Sequence, residues 1–363
     1  MQENEQAFEQ VDELLAAVSP YLLNLTKKSY IDVLENEFGF SSAFVHEIAQ
    51  AITLVNYGQS VRIPGFVGLV SFAGSGSELW SVEGGNKQIP IHLAHHSKAR
   101  IQLNTKVDSI TYLSNHQFKL NYINLDQQLD ELKYHSSVYD YVILAAPMIT
   151  GTEIRFENFT SRNYLLNGIF DKYQMHQTVA TFVKGTTLKS YSDKAVLSCD
   201  IDKDGSFFTS FSPLTPINIT EQDIESYLKN GPNSTVYKLF SNSQLKTHDL
   251  YTFFDDIEEV REVIWHAYPE YNRVNLPFPP FKIRAGMYYL NAIEWAASAI
   301  EMSLIGGKNV ALLVCHDLGL CNSGSADDDQ GELMANDSNN KRNLDTSSSE
   351  QSNNKKRTKS QEL

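Results

Sequence analysis

Apolar residues recur every three or four positions in the first part of the chain, a spacing that predicts helices. The first such run consists of Phe8, Val11, Leu14, Leu15 and Val18. Pro20 closes this run, and a second helical pattern extends from Tyr30 to Gly39. A third extends from Ser41 to about Val55, with Ser42 as a candidate cap. Residues 7–55 are therefore predicted to be helical.

Residues 61–90 differ in character, because glycine, serine and aromatic residues dominate them. This composition predicts a loop with one short helix or strand, and long irregular segments often carry function. Strand composition then extends over residues 100–147, in the runs RIQLNTKV, SITYL, HQFKLNYI and YDYVILAAP. The last run is continuously apolar up to Pro147, which is typical of a strand buried on both faces of a parallel sheet.

Further strands are predicted between residues 178 and 240, in the runs TVATFVKG and AVLSCDI. Residues 220–230 and 243–262 have helical patterns, and FPPFKIRAGMYYL is predicted to be a loop that leads into a strand. Residues 291–307 are strongly helical in composition, with a polar entry and a Gly-Gly exit. Together these elements predict a mixed α/β protein without an internal repeat.

The chain becomes low in complexity from about Asn322, where serine, asparagine and charged residues replace the apolar ones. Such a segment cannot bury enough apolar surface to fold and is expected to be disordered. We therefore assign residues 1–320 to one folded region and residues 321–363 to a tail. The basic run Asn354–Arg357 resembles a nuclear signal, but a solvated charge run is the favoured interpretation.

Composition and charge narrow the range of functions. An apolar fraction of 42% and a charged fraction of 20% are typical of a globular protein with a core. The net charge of −14 argues against nucleic acid and anionic membrane surfaces as partners. No apolar run reaches the roughly 18 residues that a transmembrane helix needs. The opening residues MQENEQAFEQ contain no signal peptide.

Glycosylation sequons indicate a secretory or lysosomal glycoprotein. They lie at Asn24, Asn158, Asn218 and Asn233 in the body of the chain, and a fifth lies at Asn336 in the tail. This indication conflicts with the absence of a signal peptide. The conflict is a first hint that the natural N-terminus lies upstream of Met1.

Most candidate chemical motifs are better explained as ordinary structure. The three cysteines, Cys199, Cys315 and Cys321, have no zinc-site spacing and do not form a disulfide framework by count. Cys315 precedes a histidine, but it ends an apolar run, so a buried structural thiol is favoured over a nucleophile. No metal site is predicted.

The pairs of titratable residues are also better explained as solvated surface than as catalytic or metal-binding groups. The carboxylate pairs Asp255-Asp256 and Glu258-Glu259 are assigned to an exposed helix face, and the pair His95-His96 to the surface. Gly74-Ser75-Gly76 follows the strand-like run LVSFA and imitates the start of a dinucleotide-binding G-x-G-x-x-G sequence. Leu79 occupies the position of the third glycine, so this match is rejected.

Two stretches are more specific. Gly84, Gly85 and Asn86 follow an aromatic loop, and paired glycines let a backbone approach a flat ring closely. A plain turn is the alternative for this stretch. The predicted helix at Asn291 would offer unpaired N–H groups to a phosphate or a flavin oxygen. An ordinary amphipathic core helix explains this second stretch equally well.

Four long strings resemble the prenylcysteine oxidases, a family that includes the plant farnesylcysteine lyases. They are VNYGQS, FVGLVSFAGSGSELWSVEGGNK, YDYVILAAP and YYLNAIEWAASAIEMSLIGGKNVALL. The resemblance extends from about Phe8 to about Leu318. It implies a fold like that of amine-oxidase-type flavoproteins, non-covalent FAD, and oxidation of S-farnesyl- or S-geranylgeranyl-cysteine in lysosomes. The implied products are cysteine, the prenyl aldehyde and hydrogen peroxide.

The resemblance also implies positions for the cofactor. Val107 would lie near the adenine, and Ala145, Ala146 and Pro147 would line the cofactor at a strand end. Gly84, Gly85 and Asn86 would approach the isoalloxazine or the substrate, and Asn291 and Glu294 would approach the ribityl and pyrophosphate groups. No residue is identified as a catalytic acid or base.

This chain departs from the family pattern in one respect. Family members begin with a signal peptide and the glycine fingerprint, whereas this sequence begins in the helical region that follows. The expected fold is therefore α/β: an incomplete FAD-binding, Rossmann-like domain of amine-oxidase type, an α+β substrate domain and the disordered tail. The alternatives are a truncated non-catalytic product that binds prenyl lipids, and a flavin amine oxidase acting on a polyamine.

Overall fold

The structure is a computed structural model that describes residues 6–76, 80–126, 134–149, 153–159, 170–192, 196–199, 206–214, 235–271, 274 and 276–321. The chain divides into one compact unit, residues 1–323, and a second, residues 324–363. The second unit lies outside the described residues, as do the predicted helix at 220–230 and nearly all of the predicted tail.

The prediction of helix over residues 7–55 is confirmed. Residues 61–90, predicted as a loop with one short helix or strand, contain one helix and the start of another, so the first part of the chain is rich in helix up to Ser97. Its helices are α1 (Val11–Val18), α2 (Pro20–Leu25), α3 (Tyr30–Asp32), α4 (Ser42–Phe44), α5 (Gln50–Tyr57), α6 (Gly65–Ala73) and α7 (Gln88–Ser97). Pro20 follows the end of α1 and is also the first residue of α2. An N–H group at this position has no hydrogen-bond partner within its helix, so a proline costs no helical hydrogen bond here. The cap of α4 is Ser41 rather than Ser42, since its Oγ accepts from the N–H of Phe44 at 3.3 Å.

Helices α3 and α4 each continue as a π-helix. The first π-helix is Val33–Glu37 and the second is Val45–Ala49, which leads directly into α5. π-Helical segments are rare and often accompany functional sites.

The run LVSFA belongs to helix α6 and is not a strand. Of the short helix or strand predicted within residues 61–90, the structure has the helix, and the strand-like appearance of this run comes from its mostly apolar composition. The rejection of Gly74-Ser75-Gly76 as a dinucleotide fingerprint gains support, since that fingerprint requires a preceding strand.

The described strands form three sheets. A four-stranded sheet has the order β3-β2-β1-β5, a five-stranded sheet the order β10-β6-β9-β8-β7, and a three-stranded sheet the order β11-β12-β4. Their bounds are β1 Thr105–Tyr112, β2 Phe118–Asn124, β3 Tyr134–Tyr139, β4 Val142–Leu144, β5 Arg155–Glu157, β6 Met175–Thr187, β7 Leu197–Ser198, β8 Ser210–Pro213, β9 Thr235–Ser241, β10 Phe254–Pro269, β11 Lys282–Arg284 and β12 Met287–Tyr289. The predicted mixed α/β class is confirmed.

Residues 254–262 are strand and only residues 247–250 are helical, so the prediction of a helix over residues 243–262 was wrong. A short helix, α8 (Thr247–Leu250), precedes β10, which pairs antiparallel with β6 over its whole length. The carboxylate pairs at 255–256 and 258–259 are exposed, as expected, but they lie on this strand. Pairing with a strand some eighty residues away is a tertiary effect that local periodicity does not contain.

The predicted helix over residues 291–307 is divided in the structure. A 3₁₀-helix, Leu290–Trp295, is followed by the α-helix α9 (Ile300–Asp317). Gly306 lies inside α9 and is not an exit, because a Cβ there would lie 2.8 Å from the Ile293 side chain. The glycine lets α9 pack closely on the 3₁₀-helix.

The end of α9 corrects the interpretation of Cys315. Cys315 and Cys321 form a disulfide, so Cys315 is not a buried free thiol. Gly319 has a left-handed φ of +66° and the Leu320 N–H bonds to the Cys315 carbonyl at 3.0 Å. This turn carries the chain back so that the two sulfur atoms meet.

One large apolar core joins the N-terminal helices, the four- and three-stranded sheets and α9. Asn309 of α9 ties the first described residues to this core, since its amide accepts from the Phe8 N–H at 2.9 Å and donates to the Phe8 carbonyl at 2.8 Å. A smaller aromatic-rich cluster lies against the five-stranded sheet.

Candidate functional site

Strands β4 and β12 are parallel and end side by side, with Leu144 paired to Tyr289. In α/β sheets, ligands bind beyond the carboxyl ends of parallel strands. Ala145, Ala146 and Pro147 follow β4 at this edge, and the 3₁₀-helix that carries Asn291 and Glu294 follows β12. The structure therefore brings five of the predicted cofactor residues to one edge of a sheet.

Tyr289 joins the segments at this edge. Its hydroxyl oxygen accepts from the Met148 N–H at 3.1 Å and from the Trp295 Nε1–H at 3.4 Å. Burial raises the pKa of Tyr289 to about 12, so the phenol stays neutral over the physiological range. The ring of Phe170 packs edge-on against it at 5.4 Å between centroids. These contacts fix both chain segments that leave the strands.

The β4 side of the edge is apolar and open. Ala145, Ala146 and Pro147 are exposed, and Ile143 within the strand has 47% of its surface exposed. The expectation that this strand is buried on both faces is therefore wrong for the described residues, because the side chain of Ile143 faces outward while Val142 and Leu144 are buried. An exposed apolar strand end beside the 3₁₀-helix that carries Asn291 and Glu294 offers a surface to a flat ligand.

Asn291 contributes an unpaired acceptor. It is buried, and its Oδ1 atom has no hydrogen-bond partner within the described part of the chain. A buried carbonyl oxygen without a partner is costly, by about 1–3 kcal/mol. Such an atom in a predicted cofactor position is suited to accept a hydrogen bond from a ligand.

Glu294 lies one turn further along the 3₁₀-helix and is largely buried. Burial raises the pKa of its carboxyl above the usual range, and hydrogen bonds with the side chains of Asn291 and Ser303 partly oppose this effect. Ser303 belongs to the first turns of α9. Glu294 therefore connects the 3₁₀-helix to the start of α9.

The helix N-terminus predicted at Asn291 lies further along the chain. The 3₁₀-helix intervenes, and α9 begins at Ile300 with Ala299 as a cap that provides no side-chain hydrogen bond. The first N–H groups of this 18-residue helix thus remain free of a side-chain cap. The free N–H groups that were predicted at Asn291 therefore lie at the entry of α9, and their binding of an anion stays a prediction.

The turn at Gly84, Gly85 and Asn86 is closed by its own hydrogen bonds. Both glycines have left-handed φ values, +79° and +93°. The Asn86 Oδ1 accepts from the Val82 N–H at 3.0 Å, and the Gly85 N–H bonds to the Val82 carbonyl at 2.8 Å. These contacts confirm that the stretch is a turn, whereas a close approach of Gly84 and Gly85 to a cofactor ring stays a prediction.

Val107 lies in β1, opposite Tyr122 of β2 and beside an irregularity in the strand register. It is half-buried and packs against the main core. Its predicted position near an adenine is not tested by these contacts and stays a prediction.

A buried polar and aromatic cluster was missed by the sequence interpretation. The His176 Nδ1 lies 2.9 Å from the Glu270 carboxylate, and the His176 ring stacks on Tyr268 at 5.5 Å. Tyr57 packs edge-on against Tyr268 at 5.2 Å. Gly58 has a φ of +61°, and a Cβ there would lie 2.9 Å from the His176 Nε2. No motif indicated this cluster, because its members lie far apart in the sequence.

An apolar cavity of about 550 Å³ was also missed. It lies among the N-terminal helices and is lined by Tyr30, Leu34, Glu37, Phe38, Phe40, Phe44, Leu69 and Phe72. Its volume is within the range of small-molecule sites.

The remaining predictions have mixed outcomes. Asn24 and Asn158 are exposed, Asn158 with a φ of +61°, whereas Asn218 and Asn233 lie outside the described residues. His95 and His96 are exposed on α7, as predicted. Where the structure describes the chain, no cluster of three metal-ligating side chains occurs. None of the described helices is long and apolar enough to cross a bilayer.

Comparison with known proteins identifies the family. The prenylcysteine lyase family model matches residues 1–328. The chain is 34% identical over 294 residues to a farnesylcysteine lyase of Arabidopsis thaliana, covering 81% of this chain and 53% of that protein. It is 32% identical over 329 residues to prenylcysteine oxidase 1 of Homo sapiens, covering 87% of this chain and 62% of that protein. The chain thus spans little more than half the length of these curated relatives.

The fold also has a counterpart among solved structures. A putrescine oxidase double mutant, redesigned in its cofactor binding, superposes with a TM-score of 0.51 at 12% identity. The likeness covers 84% of this chain and 73% of that chain. It confirms the predicted amine-oxidase-type fold. With the family model matching residues 1–328 of 363, this chain belongs to the prenylcysteine lyase family.

Proposed function

We propose that this chain forms part of an FAD-dependent oxidase that cleaves the thioether of S-prenyl-L-cysteine. Family membership supports the substrate class, since the relatives are named for farnesylcysteine and prenylcysteine. The observation in the structure that carries the proposal is the buried, unpartnered Asn291 Oδ1 at the shared edge of β4 and β12.

The residues at this edge fit a flavin. Asn291 presents an acceptor to a hydroxyl or N–H donor, and Ala145, Ala146 and Pro147 present an exposed apolar surface. The uncapped entry of α9 suits an anionic or carbonyl oxygen. When FAD is bound, it would supply the two-electron acceptor for oxidation of the thioether.

The proposed overall reaction converts prenylcysteine, O₂ and water into the prenyl aldehyde, cysteine and hydrogen peroxide. A hydride leaves the allylic carbon bonded to sulfur, and both the sulfur and the alkene stabilise the resulting cation. Water adds to this carbon, the C–S bond of the hemithioacetal breaks, and cysteine leaves as the thiol. The electrons finally reduce O₂ to peroxide.

The protein contributes orientation to this chemistry. Tyr289 and Trp295 fix the strand ends, and burial raises the pKa of the neighbouring Glu294 carboxyl above its usual range. The Tyr57 hydroxyl donates to the Ser298 carbonyl at 2.7 Å, which holds α5 against the segment leading to α9. None of these groups is assigned as an acid or base.

We further propose a lysosomal location and glycosylation at Asn24 and Asn158. The exposure of both side chains supports this part of the proposal. Treatment of the protein from its native source with an endoglycosidase tests it, and an unchanged electrophoretic mobility contradicts it.

The proposal is tested by two measurements on the purified chain. FAD is titrated while the flavin absorbance and fluorescence are recorded, and peroxide release is then measured with S-farnesyl-L-cysteine, S-methyl-L-cysteine and putrescine. We expect saturable FAD binding and peroxide only with the farnesyl compound. A folded chain that neither binds FAD nor releases peroxide contradicts the proposal, and peroxide from putrescine supports an amine oxidase instead.

A non-catalytic prenyl-lipid-binding protein is the second candidate. The aromatic cavity among the N-terminal helices favours it, because that cavity does not depend on a flavin. Binding of S-farnesyl-L-cysteine without FAD binding or peroxide release is the result expected from this candidate.

A further inference from the structure

The cavity among the N-terminal helices is built almost entirely from carbon-rich side chains. Tyr30 is buried there, because its ring lies directly over Gly68 of α6, where a Cβ would overlap it. Leu34 is also buried, and Leu69 of α6 is half-buried. These side chains form the apolar inner wall of the cavity, which is partly open to solvent.

The rim of the cavity is aromatic and exposed. Phe38, Phe40 and Phe72 each keep 43–46% of their surface accessible. Phe40 stacks on Phe44 with 4.5 Å between ring centroids, and Phe44 lies 6.4 Å from Phe72. Contiguous exposed aromatic surface on a soluble protein indicates a binding site more often than isolated exposed residues do.

The backbone around the cavity is irregular in a way that supports a binding role. Leu34 and Glu37 belong to the first π-helix, Phe38 caps it, and Phe44 immediately precedes the second π-helix. Each π-turn inserts an extra residue into the helix, which redirects side chains at some cost in stability. Here the redirected residues converge on the cavity.

Polar groups lie at one side of the rim. The Glu37 carboxylate pairs with the Lys28 ammonium at 2.5 Å and accepts from the Tyr21 hydroxyl at 3.5 Å. Apart from Glu37, no lining residue carries a charge. The cavity thus combines an apolar interior with a paired acid at its edge.

We propose that this cavity binds the isoprenoid chain of the S-prenyl-cysteine substrate. The inference rests on the proposed function for the substrate class, and it assigns the chain to named residues. A branched, unsaturated hydrocarbon chain removes its apolar surface from water when it packs against the aromatic faces, and this burial favours binding. The volume of about 550 Å³ suits a long single chain.

A membrane surface is a weaker explanation for this cavity. Binding to anionic lipid relies on lysines and arginines around an apolar patch. The cavity has an acid in its lining, and its neighbouring cation, Lys28, is already paired with that acid. A concave cavity also encloses a single chain better than a flat bilayer face.

The test measures direct binding of S-farnesyl-L-cysteine to the chain by calorimetry, without added FAD. The rim variants Phe40→Ser and Phe72→Ser remove aromatic surface that is already exposed, so the fold should survive. Leu69→Trp fills the cavity. Tyr251→Ser is the matched control, because Tyr251 is 53% exposed and does not line the cavity. Thermal unfolding of each variant verifies the fold.

We expect each rim variant to raise the Kd about tenfold, equivalent to about 1.4 kcal/mol. Leu69→Trp should weaken binding at least as much, while Tyr251→Ser leaves the Kd unchanged. Equal affinity in the wild type, the three cavity variants and the control would overturn the inference. So would rim variants that lose binding to phosphatidylcholine vesicles but keep their affinity for farnesylcysteine.

The outcome is separable from that of the proposed enzyme. Cavity-dependent binding without FAD binding or peroxide release supports the inference and contradicts the oxidase. Peroxide release with the same KM for farnesylcysteine in all cavity variants supports the oxidase and overturns the inference.

Discussion

The hydroxyl of Tyr57 donates a 2.7 Å hydrogen bond to the carbonyl oxygen of Ser298. Tyr57 ends helix α5, and Ser298 lies immediately before the cap of α9. This contact spans 241 positions in the sequence and joins the N-terminal helices to the proposed flavin edge. Burial raises the pKa of Tyr57 well above its usual value, so the phenol remains a donor.

Replacement of Tyr57 by phenylalanine should therefore destabilise the protein. The variant keeps the ring but leaves the Ser298 carbonyl without this donor, and we expect a loss of about 1–2 kcal/mol in the free energy of unfolding. Urea denaturation measures this loss. Tyr251→Phe is the control, since Tyr251 is exposed, and an equal effect in both variants would contradict the assigned role.

Gly68→Ala should damage the floor of the aromatic cavity. A Cβ at this position would overlap the Tyr30 ring, whose side chain is buried and cannot move freely. We expect a loss of about 1–3 kcal/mol in stability together with weaker farnesylcysteine binding. Thermal unfolding and calorimetry measure the two effects.

Gly74→Ala is the matched control for that variant. Gly74 caps the same helix with a φ of −71°, and the nearest atom to a Cβ there is 3.5 Å away. Its stability should change by less than about 0.5 kcal/mol. A large loss in the control, or none in Gly68→Ala, would show that the close approach to Tyr30 is unimportant.

Asn291→Ala should separate cofactor binding from stability. The substitution removes a buried oxygen that has no partner among the described residues, so we expect FAD affinity to fall about tenfold, or 1.4 kcal/mol. The free energy of unfolding of the cofactor-free chain should fall far less. FAD titration and urea denaturation measure the two quantities.

Asn309→Ala should have the opposite effect, a loss of stability without a loss of FAD affinity. Both atoms of the Asn309 amide bond to the backbone of Phe8, so its loss should cost about 1–3 kcal/mol of stability. FAD affinity in the folded fraction should be retained. Unchanged FAD affinity in Asn291→Ala would contradict the placement of the cofactor.

Glu294 should make stability depend on pH. Burial raises the pKa of its carboxyl in the folded state, so the unfolded chain ionises first as the pH rises. Its contribution is therefore fully present below the unfolded value, near 4.5, and is lost as the pH rises through the folded value.

The variant Glu294→Gln cannot ionise and should lack this part of the pH dependence. Its stability relative to the wild type should increase between acidic and neutral pH, as measured by urea denaturation at several pH values. A difference that stays constant across that range would contradict a buried, neutral carboxyl. Glu301→Gln, an exposed substitution on α9, is the control.

Prediction from the sequence succeeded where local periodicity matched the final environment. The helix α1 and the strands β1, β2 and β12 fall within the segments predicted for them, while α5 extends two residues and β6 three residues beyond theirs. It failed for β10, whose charged residues imitate a helix face, because the pairing with β6 is a long-range interaction. It failed also for Cys315, since the cysteine count and spacing did not indicate the local turn at Gly319 that returns Cys321 to Cys315.

The candidate site was likewise predicted only in part. Resemblance to a family selected Ala145–Pro147 and Asn291 as cofactor residues, and the parallel pairing of β4 with β12 brings them to one edge. The aromatic cavity and the His176–Glu270 pair were not predicted, because their members come from separate segments and form no motif.

The amino-acid sequence alone determined the family, the α/β class and the helical character of the first segment, since these depend on sequence motifs and short-range periodicity. The tertiary structure decided which groups became buried without partners, which aromatic rings face a common cavity and where α9 begins. Those properties arise from contacts between distant segments, as between Tyr57 and Ser298. The local sequence pattern does not specify such contacts, because the burial of a residue depends on which distant segments pack against it.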